Sequence, residues 1–163
     1  MADLAWWLQN FEQSAFRLET LPEYDVPQEA EMLARFKHGY PVEMPDDHPW
    51  LLNVRHHCGA AKVMQRVRIV SHPPSDYERF ELSLYRHSSA AGEQIHIIEE
   101  YRRFPEDFWL FDNQEAYILR YDRHGRFLGV EVGSDVVAYR RIRDLALEQS
   151  IPFAEYAARA ARP

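Results

Sequence analysis

The sequence has little cysteine and little glycine. Cys58 is the only cysteine in 163 residues, so neither an intramolecular disulfide nor a cysteine-rich zinc module is possible. The six glycines are scattered along the chain, and neither GxGxxG nor GxxxxGKS/T occurs, which excludes the common phosphate-binding loops. GxSxG and HExxH are missing too, so the usual motifs of serine hydrolases and zinc proteases are absent.

The sequence also lacks long apolar runs. No stretch approaches the roughly 18–20 apolar residues of a membrane span, and residues 1–9 have neither the basic start nor the apolar core of a signal peptide. We therefore expect a cytoplasmic protein that does not contact a membrane. Hydrophobic residues make up 46% and charged residues 28% of the chain, which is typical of a folded globular domain.

Negative charge is concentrated in the first part of the chain. The formal net charge is -7, and residues 1–61 carry ten acidic residues against four basic ones, a net of -6. The basic footprint of a DNA-binding protein is missing, so no direct binding to nucleic acid is expected. An acidic surface favours a basic protein partner, because complementary charge assists the encounter of two proteins.

Hydrophobic spacing predicts a mixture of helices and strands. The predicted helices cover residues 4–15, 28–37, 75–85 and 134–149, with a shorter one after Pro152. Ser75 is the predicted N-cap of the third of these helices. The predicted strands cover residues 50–55, 62–70, 95–98, 108–111, 116–121 and 127–132, with a short one allowed at 16–21. Residues 122–126 (DRHGR) are a hairpin turn signal between the last two strands.

This order of elements predicts an α+β or α/β sandwich. We expect a mixed sheet of about six strands with helices packed on it, preceded by an N-terminal helical pair. The proline-rich residues 39–49 predict a loop, because proline blocks helix interiors and central strands. Within a single domain of residues 1–163, this loop divides an N-terminal helical subdomain (1–48) from a mixed-sheet body (49–163).

One cluster of potentially reactive side chains is His56, His57 and Cys58. Imidazole and thiolate are zinc ligands, but adjacent residues of the predicted strand point to opposite faces, so no metal site is predicted. Cys58 could instead act as a nucleophile with a histidine as its base. A small cytosolic enzyme that uses this cluster with Asp112 is therefore one alternative, and a polar strand end before the turn at Gly59 is the other interpretation.

Aromatic residues of the second half offer a candidate ligand pocket. Most of them are expected in the core, because alternation along a strand buries every second side chain. Trp109 and Tyr121 are better pocket candidates, since their polar tips need partners when they are buried. With Tyr117 and Asp112 they define the site of a possible small-ligand sensor, and no cofactor is predicted.

Five blocks of the sequence resemble an uncharacterised actinobacterial family. They are residues 16–24 (FRLETLPEY), 75–81 (SDYERFE), 91–93 (AGE), 107–112 (DFWLFD) and 121–125 (YDRHG). The resemblance implies a single-domain cytosolic protein, often encoded beside a helix-turn-helix regulator. It implies no established activity.

Residues 64–149 are more remotely similar to the phospholipase-D-like fold. In catalytic members of that fold, a strand carries HxKxxxxD, whose histidine attacks phosphorus and whose lysine holds the phosphate. Asp112 fits the closing aspartate, but Pro105 and Asp107 stand where histidine and lysine are required. Proline cannot act as a nucleophile, so the resemblance implies a non-catalytic member, of the kind that serves as a sensor or dimerisation domain in transcription regulators.

These observations favour a non-catalytic regulatory or interaction protein. The expected partner is a helix-turn-helix transcription regulator, and the alternative is self-association. The acidic residues expected to form the interaction surface are Glu19, Glu23, Asp25 and Glu29.

Overall fold

A seven-stranded mixed sheet lies at the centre of the structure, a computed structural model that describes residues 3–99 and 104–163. The strands are β1 (Ser14–Glu19), β2 (Val63–Val70), β3 (Gln94–Glu99), β4 (Asp107–Phe111), β5 (Glu115–Tyr121), β6 (Phe127–Gly133) and β7 (Ile151–Pro152). The helices are α1 (Leu4–Asn10), α2 (Ala30–Lys37), α3 (Pro49–Gly59), α4 (Asp76–Ala91), α5 (Val136–Gln149) and α6 (Phe153–Ala160). The fold class is therefore α+β, as predicted.

The strands lie in the order β6-β5-β4-β1-β2-β3-β7. β1, β2 and β3 are parallel, and every other neighbouring pair is antiparallel. Parallel neighbours need a crossover connection. A short 3-10 helix (Pro27–Glu29), α2 and α3 connect β1 to β2, and α4 connects β2 to β3. The chain then passes to the other side of β1, where β4 begins.

Helices cover both faces of the sheet. On one face, α5 contributes Tyr139 and Ala146 to a core with apolar side chains from the five strands β1–β5. On the other face, α1 and α3 pack over β4 and the start of β2, while α4 and α6 pack over β3 and the end of β2. This second face also carries most of the buried charged residues.

The first turn of α4 is fixed by a capping box. Ser75 Oγ accepts a hydrogen bond from Glu78 N at 3.1 Å, and Glu78 Oε2 accepts one from Ser75 N at 2.8 Å. The two side chains thereby satisfy backbone donors that a helix start leaves without partners. Ser75 was the predicted cap of this helix, and that prediction is confirmed.

The predicted strand over residues 50–55 is wrong, because this segment lies in α3. Pro49 occupies the first turn, where proline is favoured, and the His48 side chain accepts a hydrogen bond from Trp50 N at 3.1 Å. Leu51, Val54 and His57 are buried on one side of the helix. Their three-residue spacing fits a helix, whereas the apolar run Trp50-Leu-Leu had suggested a strand.

The N-terminal helical pair is not confirmed. The predicted helix over residues 4–15 ends at Asn10, and Ala15 belongs to β1, a central strand of the sheet. Residues 14–19 therefore belong to the same sheet as the later strands. Among the helices of residues 3–99 and 104–163, none has the length and apolar character needed to cross a bilayer.

Candidate functional site

Charged residues alternate with apolar ones along the two central parallel strands. Arg17 and Glu19 lie on β1, and Arg66 and Arg68 lie beside them on β2 at matching register positions. Because alternate residues of a strand share a face, the four side chains project together toward α3 and α4. The apolar residues between them, such as Leu18 and Val67, point to the opposite core.

Each arginine of this cluster has at least one carboxylate partner. Arg17 Nη2 lies 3.1 Å from Asp107 Oδ2, and Arg68 Nη2 lies 2.6 Å from Glu81 Oε1. Arg66 binds two carboxylates: its Nε lies 2.7 Å from Glu93 Oε1, and its Nη1 contacts Glu19. We call these seven residues the buried ion cluster, and their list is Arg17, Glu19, Arg66, Arg68, Glu81, Glu93 and Asp107.

Asp107, at the start of β4, joins the cluster to the loop that follows β1. Its Oδ1 accepts hydrogen bonds from Thr20 N at 2.9 Å and from Thr20 Oγ1 at 2.5 Å. Its Oδ2 accepts from Tyr24 Oη at 2.5 Å and from Arg17. Arg17 Nη2 also lies 3.3 Å from Tyr121 Oη. The carboxylate therefore fixes the loop at residues 20–24 against the sheet.

Aromatic rings surround the guanidinium of Arg66. Its Cζ lies 5.6 Å from the Trp50 ring centroid, 5.5 Å from that of Tyr85 and 5.9 Å from that of Trp109. Cations within about 6 Å of a ring centroid are attracted by the ring quadrupole. Trp50 Nε1 donates to Ser88 Oγ at 2.9 Å, which ties α3 to α4.

The cluster contains three guanidinium groups and four carboxyl groups, and Arg66 is shared by two of the carboxyls, so the fully ionised cluster carries a net charge of -1. Burial raises the pKa of Glu19, but Arg66, Arg17 and Arg68 outweigh it and lower that pKa to about 2. Burial also raises the pKa of Glu81, with a contribution from Glu19, and the result is about 7 despite the opposing effect of Arg68. Glu81 is therefore expected to take up a proton at a higher pH than Glu19.

The charged groups of the buried ion cluster are paired with one another. All seven charged groups have a partner of opposite charge within the cluster, and none of the seven lines any of the three cavities described below. Removing one partner of a buried pair leaves an uncompensated charge, which costs about 3–5 kcal/mol. The cluster thus couples β1, β2, β4 and α4.

The surface formed by residues 3–99 and 104–163 includes three cavities. One of about 740 Å³ lies between α4 and α6, with Leu82 and Phe153 among its apolar lining residues and Arg79 and Arg86 among its basic ones. One of about 510 Å³ lies between α1 and β6, and its lining is Asp3, Leu4, Ala5, Leu8, Tyr117, Val130 and Val132. A third, of about 300 Å³, lies beside α2.

The four predicted ligand-binding residues do not form one pocket. Trp109 and Tyr117 are buried register partners on β4 and β5, and Trp109 stacks on Phe111 with ring centroids 5.6 Å apart. Tyr121 lies further along β5, in contact with Arg17 and Tyr24. Of the four, only Tyr117 lines one of the three cavities, the one between α1 and β6.

Asp112, the fourth predicted residue, has a structural role. It follows β4 with a φ of 51°, and its Oδ1 accepts hydrogen bonds from Gln13 N at 2.7 Å and from Ser14 N at 2.9 Å. Its Oδ2 accepts from Glu12 N at 2.9 Å. Asp112 therefore fixes the turn that leads into β1.

The three residues of the histidine and cysteine cluster differ in their exposure. On α3, His56 is exposed, His57 is buried and Cys58 is half-buried. His57 stacks against Phe11 with centroids 4.0 Å apart, and neither ring nitrogen makes a hydrogen bond to any residue that the structure describes. Burial lowers the pKa of His57, and Lys62 and His56 lower it further. In residues 3–99 and 104–163, no group of three or more His, Cys, Asp or Glu is placed to hold a metal ion.

The predicted acidic surface is only partly at the surface. Glu19 is buried in its ion pair with Arg66. Glu23 and Asp25 are exposed, and Asp25 lies 3.9 Å from the Arg126 guanidinium. Glu29 is half-buried, and burial raises its pKa although Tyr77 donates a hydrogen bond to it. Glu23 and Asp25 are therefore the two exposed members of this set.

Sequence reasoning missed the buried ion cluster, although part of its signal is present. Arginine at every second position of an apolar strand, as in Arg66-Val67-Arg68-Ile69, marks a charged face. In a strand that helices cover, that face must find carboxylate partners. The partners themselves were not recognisable, because Glu81, Glu93 and Asp107 come from three other elements.

The fold is a mixed-sheet α+β domain with a buried ion cluster on one face of its sheet. The chain belongs to the family described as "Domain of unknown function (DUF6879)", which it matches over residues 2–158. This agrees with the prediction of an uncharacterised family. No curated protein matches the sequence.

Proposed function

We propose that the protein is a non-catalytic regulatory or interaction protein. The observation that carries this proposal is the closure of the buried ion cluster: the groups best suited to acid–base chemistry are paired with one another and line none of the three cavities. Such a network stabilises a fixed arrangement of strands and helices. A rigid arrangement of this kind suits a protein that presents surfaces to a partner.

The resemblance to the phospholipase-D-like fold supports the same proposal. In that alignment Pro105 and Asp107 replace the catalytic histidine and lysine, and Asp107 holds Arg17, Thr20 and Tyr24. A carboxylate at the lysine position would repel a phosphate. A cytoplasmic location also remains part of this proposal.

The proposed partner is a helix-turn-helix transcription regulator. Residues 1–61 carry a net charge of -6, and Glu23 and Asp25 expose their carboxylates on the loop after β1. A DNA-binding surface is basic, so charge complementarity would steer the two proteins together. Binding of this kind would compete with DNA for the regulator.

A pull-down tests this proposal directly. The tagged protein is mixed with the helix-turn-helix regulator encoded nearest to its gene, at about 50 mM and about 500 mM salt. We expect retention at low salt and weaker retention at high salt, and loss of retention in the double variant Glu23→Lys, Asp25→Lys. Glu148→Lys, an exposed change on α5 across the sheet, is the matched control and should retain binding. No retention of the wild type at low salt would contradict the proposal.

The cavity between α4 and α6 favours a second candidate, a small-ligand sensor. Its lining combines apolar side chains with Arg79, Arg86 and His72, which suits an organic anion with an apolar part. A thermal-shift screen of carboxylated and phosphorylated metabolites tests this candidate, because a ligand that binds the native state raises Tm. Arg86→Ala should abolish any shift that arises at this cavity.

A further inference from the structure

The imidazole of His57 is buried without a hydrogen bond to any residue that the structure describes. His57 lies on α3 with 0% of its surface exposed, and both of its ring nitrogens lack a partner. The ring lies against Phe11, with centroids 4.0 Å apart, and Phe11 is the buried residue at which α1 ends. Most buried polar groups in proteins are hydrogen-bonded, so one that is not calls for a physical explanation.

The groups nearest to this imidazole favour its neutral form. Lys62 Nζ lies 5.3 Å from the centroid of the Phe11 ring and 2.6 Å from the Phe11 carbonyl oxygen, and the His56 ring centroid lies 5.0 Å from that of His57. Burial lowers the pKa of His57 most, and Lys62 and His56 lower it further. The backbone of Leu8 opposes these effects but makes no hydrogen bond to the ring.

Within residues 3–99 and 104–163, the elements beside His57 offer no carboxylate to a protonated ring. Residues 4–10, which form α1, contain no charged side chain. Glu12 is exposed, and the Asp112 carboxylate accepts hydrogen bonds from three backbone N–H groups. On α3, Arg55 is exposed, and the Cys58 thiol stays neutral because burial raises its pKa. An imidazolium at this position would therefore be a buried charge without a partner, which is unfavourable.

We propose that protonation of His57 releases α1 from the sheet, so that His57 acts as a pH-sensitive latch. The proposal goes beyond regulator binding, which uses the loop at Glu23 and Asp25. A protonated ring must leave its place against Phe11 to reach water, and Phe11 is joined directly to α1. Because the ring binds a proton more tightly once it is exposed, the ratio of docked to released α1 falls as pH falls below about 6.5, by at most about tenfold per pH unit.

α1 is the element that moves because it is held weakly. It has seven residues, none of them buried, and an isolated helix of this length is marginal in water. Trp7 stacks on Phe111 with centroids 5.7 Å apart, and the Leu8 carbonyl accepts a hydrogen bond from Asn53 Nδ2 at 3.2 Å. α3, in contrast, has three buried residues. Since α1 forms one wall of the cavity between α1 and β6, its release opens that cavity.

Hydrogen–deuterium exchange of the full-length chain, read by mass spectrometry, tests the proposal. The peptide that contains α1 is followed at pH 7.5 and pH 5.0 in the wild type and in His57→Phe, which fills the site with a ring that does not titrate. The ratio of the wild-type rate to the variant rate is free of the intrinsic pH dependence of exchange. Over α1 this ratio should rise by up to about thirtyfold between pH 7.5 and pH 5.0, and over α4 it should stay constant.

His56→Gln is the matched control, because it removes an exposed histidine one residue away on the same helix, and it should keep the pH response of α1. If His57→Phe does not fold, an NMR titration of the wild type replaces it, and the signals of the His57 ring and the Trp7 indole should then change with the same midpoint. A rate ratio that is independent of pH, or a Trp7 signal that does not follow His57, would overturn the latch. Equal loss of protection over α1 and α4 in the wild type would overturn it as well, because the whole domain would then be unfolding.

Discussion

Arg17 and Asp107 form an ion pair of 3.1 Å whose side chains are only 6% and 2% exposed. The pair joins β1 to β4, which lies beside β1 in the sheet but follows β3 in the sequence. Since Asp107 also accepts hydrogen bonds from Thr20 and Tyr24, one carboxylate fixes two strands and the loop between β1 and α2. This loop carries Glu23 and Asp25, so the position of the proposed regulator surface depends on a buried group.

Replacing Asp107 with alanine should strongly destabilise the protein. The change leaves the Arg17 charge buried beside the hydroxyl groups of Tyr24 and Tyr121, and the expected loss is about 3–5 kcal/mol in the free energy of unfolding. Asp107→Asn keeps the shape and part of the hydrogen bonding, and should cost less. Urea denaturation followed by circular dichroism measures both values.

The control for this prediction is Asp144→Ala. Asp144 lies 2.9 Å from Arg143 with its side chain 66% exposed, and an exposed pair contributes about 0–1 kcal/mol. Equal losses for Asp107→Ala and Asp144→Ala would mean that the buried ion cluster does not hold the fold together.

Glu81 should make stability depend on pH. Its pKa in the folded protein is about 7 against an ordinary value of 4.5, so the folded state binds more protons than the unfolded state between these values. The stabilisation is present below about pH 4.5 and is lost as pH rises toward about 7, at no more than about 1.4 kcal/mol per pH unit. Glu81→Gln mimics the protonated form and should lack this dependence.

The measurement is the difference in the free energy of unfolding between the wild type and Glu81→Gln from pH 5 to pH 7.5. Relative to the variant, the wild type should lose stability as pH rises. His57 and His96, whose pKa values are lowered by burial, change stability in the opposite direction in both proteins and cancel in the difference. Glu19, with its pKa near 2, contributes below this range. A constant difference would mean that Glu81 is ionised throughout.

Local patterns were sufficient to predict much of this fold. The hairpin turn at residues 122–126, the cap at Ser75 and the strands after residue 62 each depend on neighbouring residues, and the structure confirms them. The prediction of a strand over residues 50–55 was wrong because a short apolar run fits a buried helix as well as a strand. β7 is too short, at two residues, to leave a pattern.

The buried ion cluster could not be predicted, for a different physical reason. Arg17 and Asp107 are 90 residues apart in the chain, and they meet only because β4 lies beside β1. Strand order depends on how the whole sheet assembles, and one sequence does not reveal it. The same reason explains why Glu19, expected at the surface, is buried beside Arg66.

Gly125 should be intolerant of substitution because its backbone packs against the loop after β1. Its φ is +78°, and a Cβ there would lie 2.4 Å from the Glu23 carbonyl oxygen. Gly39 also has a positive φ, +88°, but a Cβ there meets nothing within 4 Å. Gly39→Ala should therefore cost only the left-handed backbone penalty of about 1–2 kcal/mol, while Gly125→Ala should cost more.

The comparison of the two glycine variants uses Tm and regulator binding together. Asp25 N donates to the Gly125 carbonyl at 2.9 Å, so a displaced Gly125 moves Glu23 and Asp25. Gly125→Ala should weaken retention in the pull-down, and Gly39→Ala should not. The same loss of stability in both variants would show that the close approach to Glu23 is not important.

Cys58 should react slowly with thiol reagents, and its replacement should leave the proposed regulator binding intact. Burial raises the pKa of Cys58, Glu93 raises it further, and the backbone of Met64 opposes the shift. Because the thiolate is the reactive form, labelling by a disulfide reagent at pH 7 should be slower than for a free cysteine and should become faster as pH rises. Cys58→Ala should keep regulator binding and lose about 1 kcal/mol of stability, since the side chain packs in the core with Met64 and Trp109. Labelling at neutral pH that is faster than for a free cysteine would instead reveal an activated thiol, and with it the enzyme alternative.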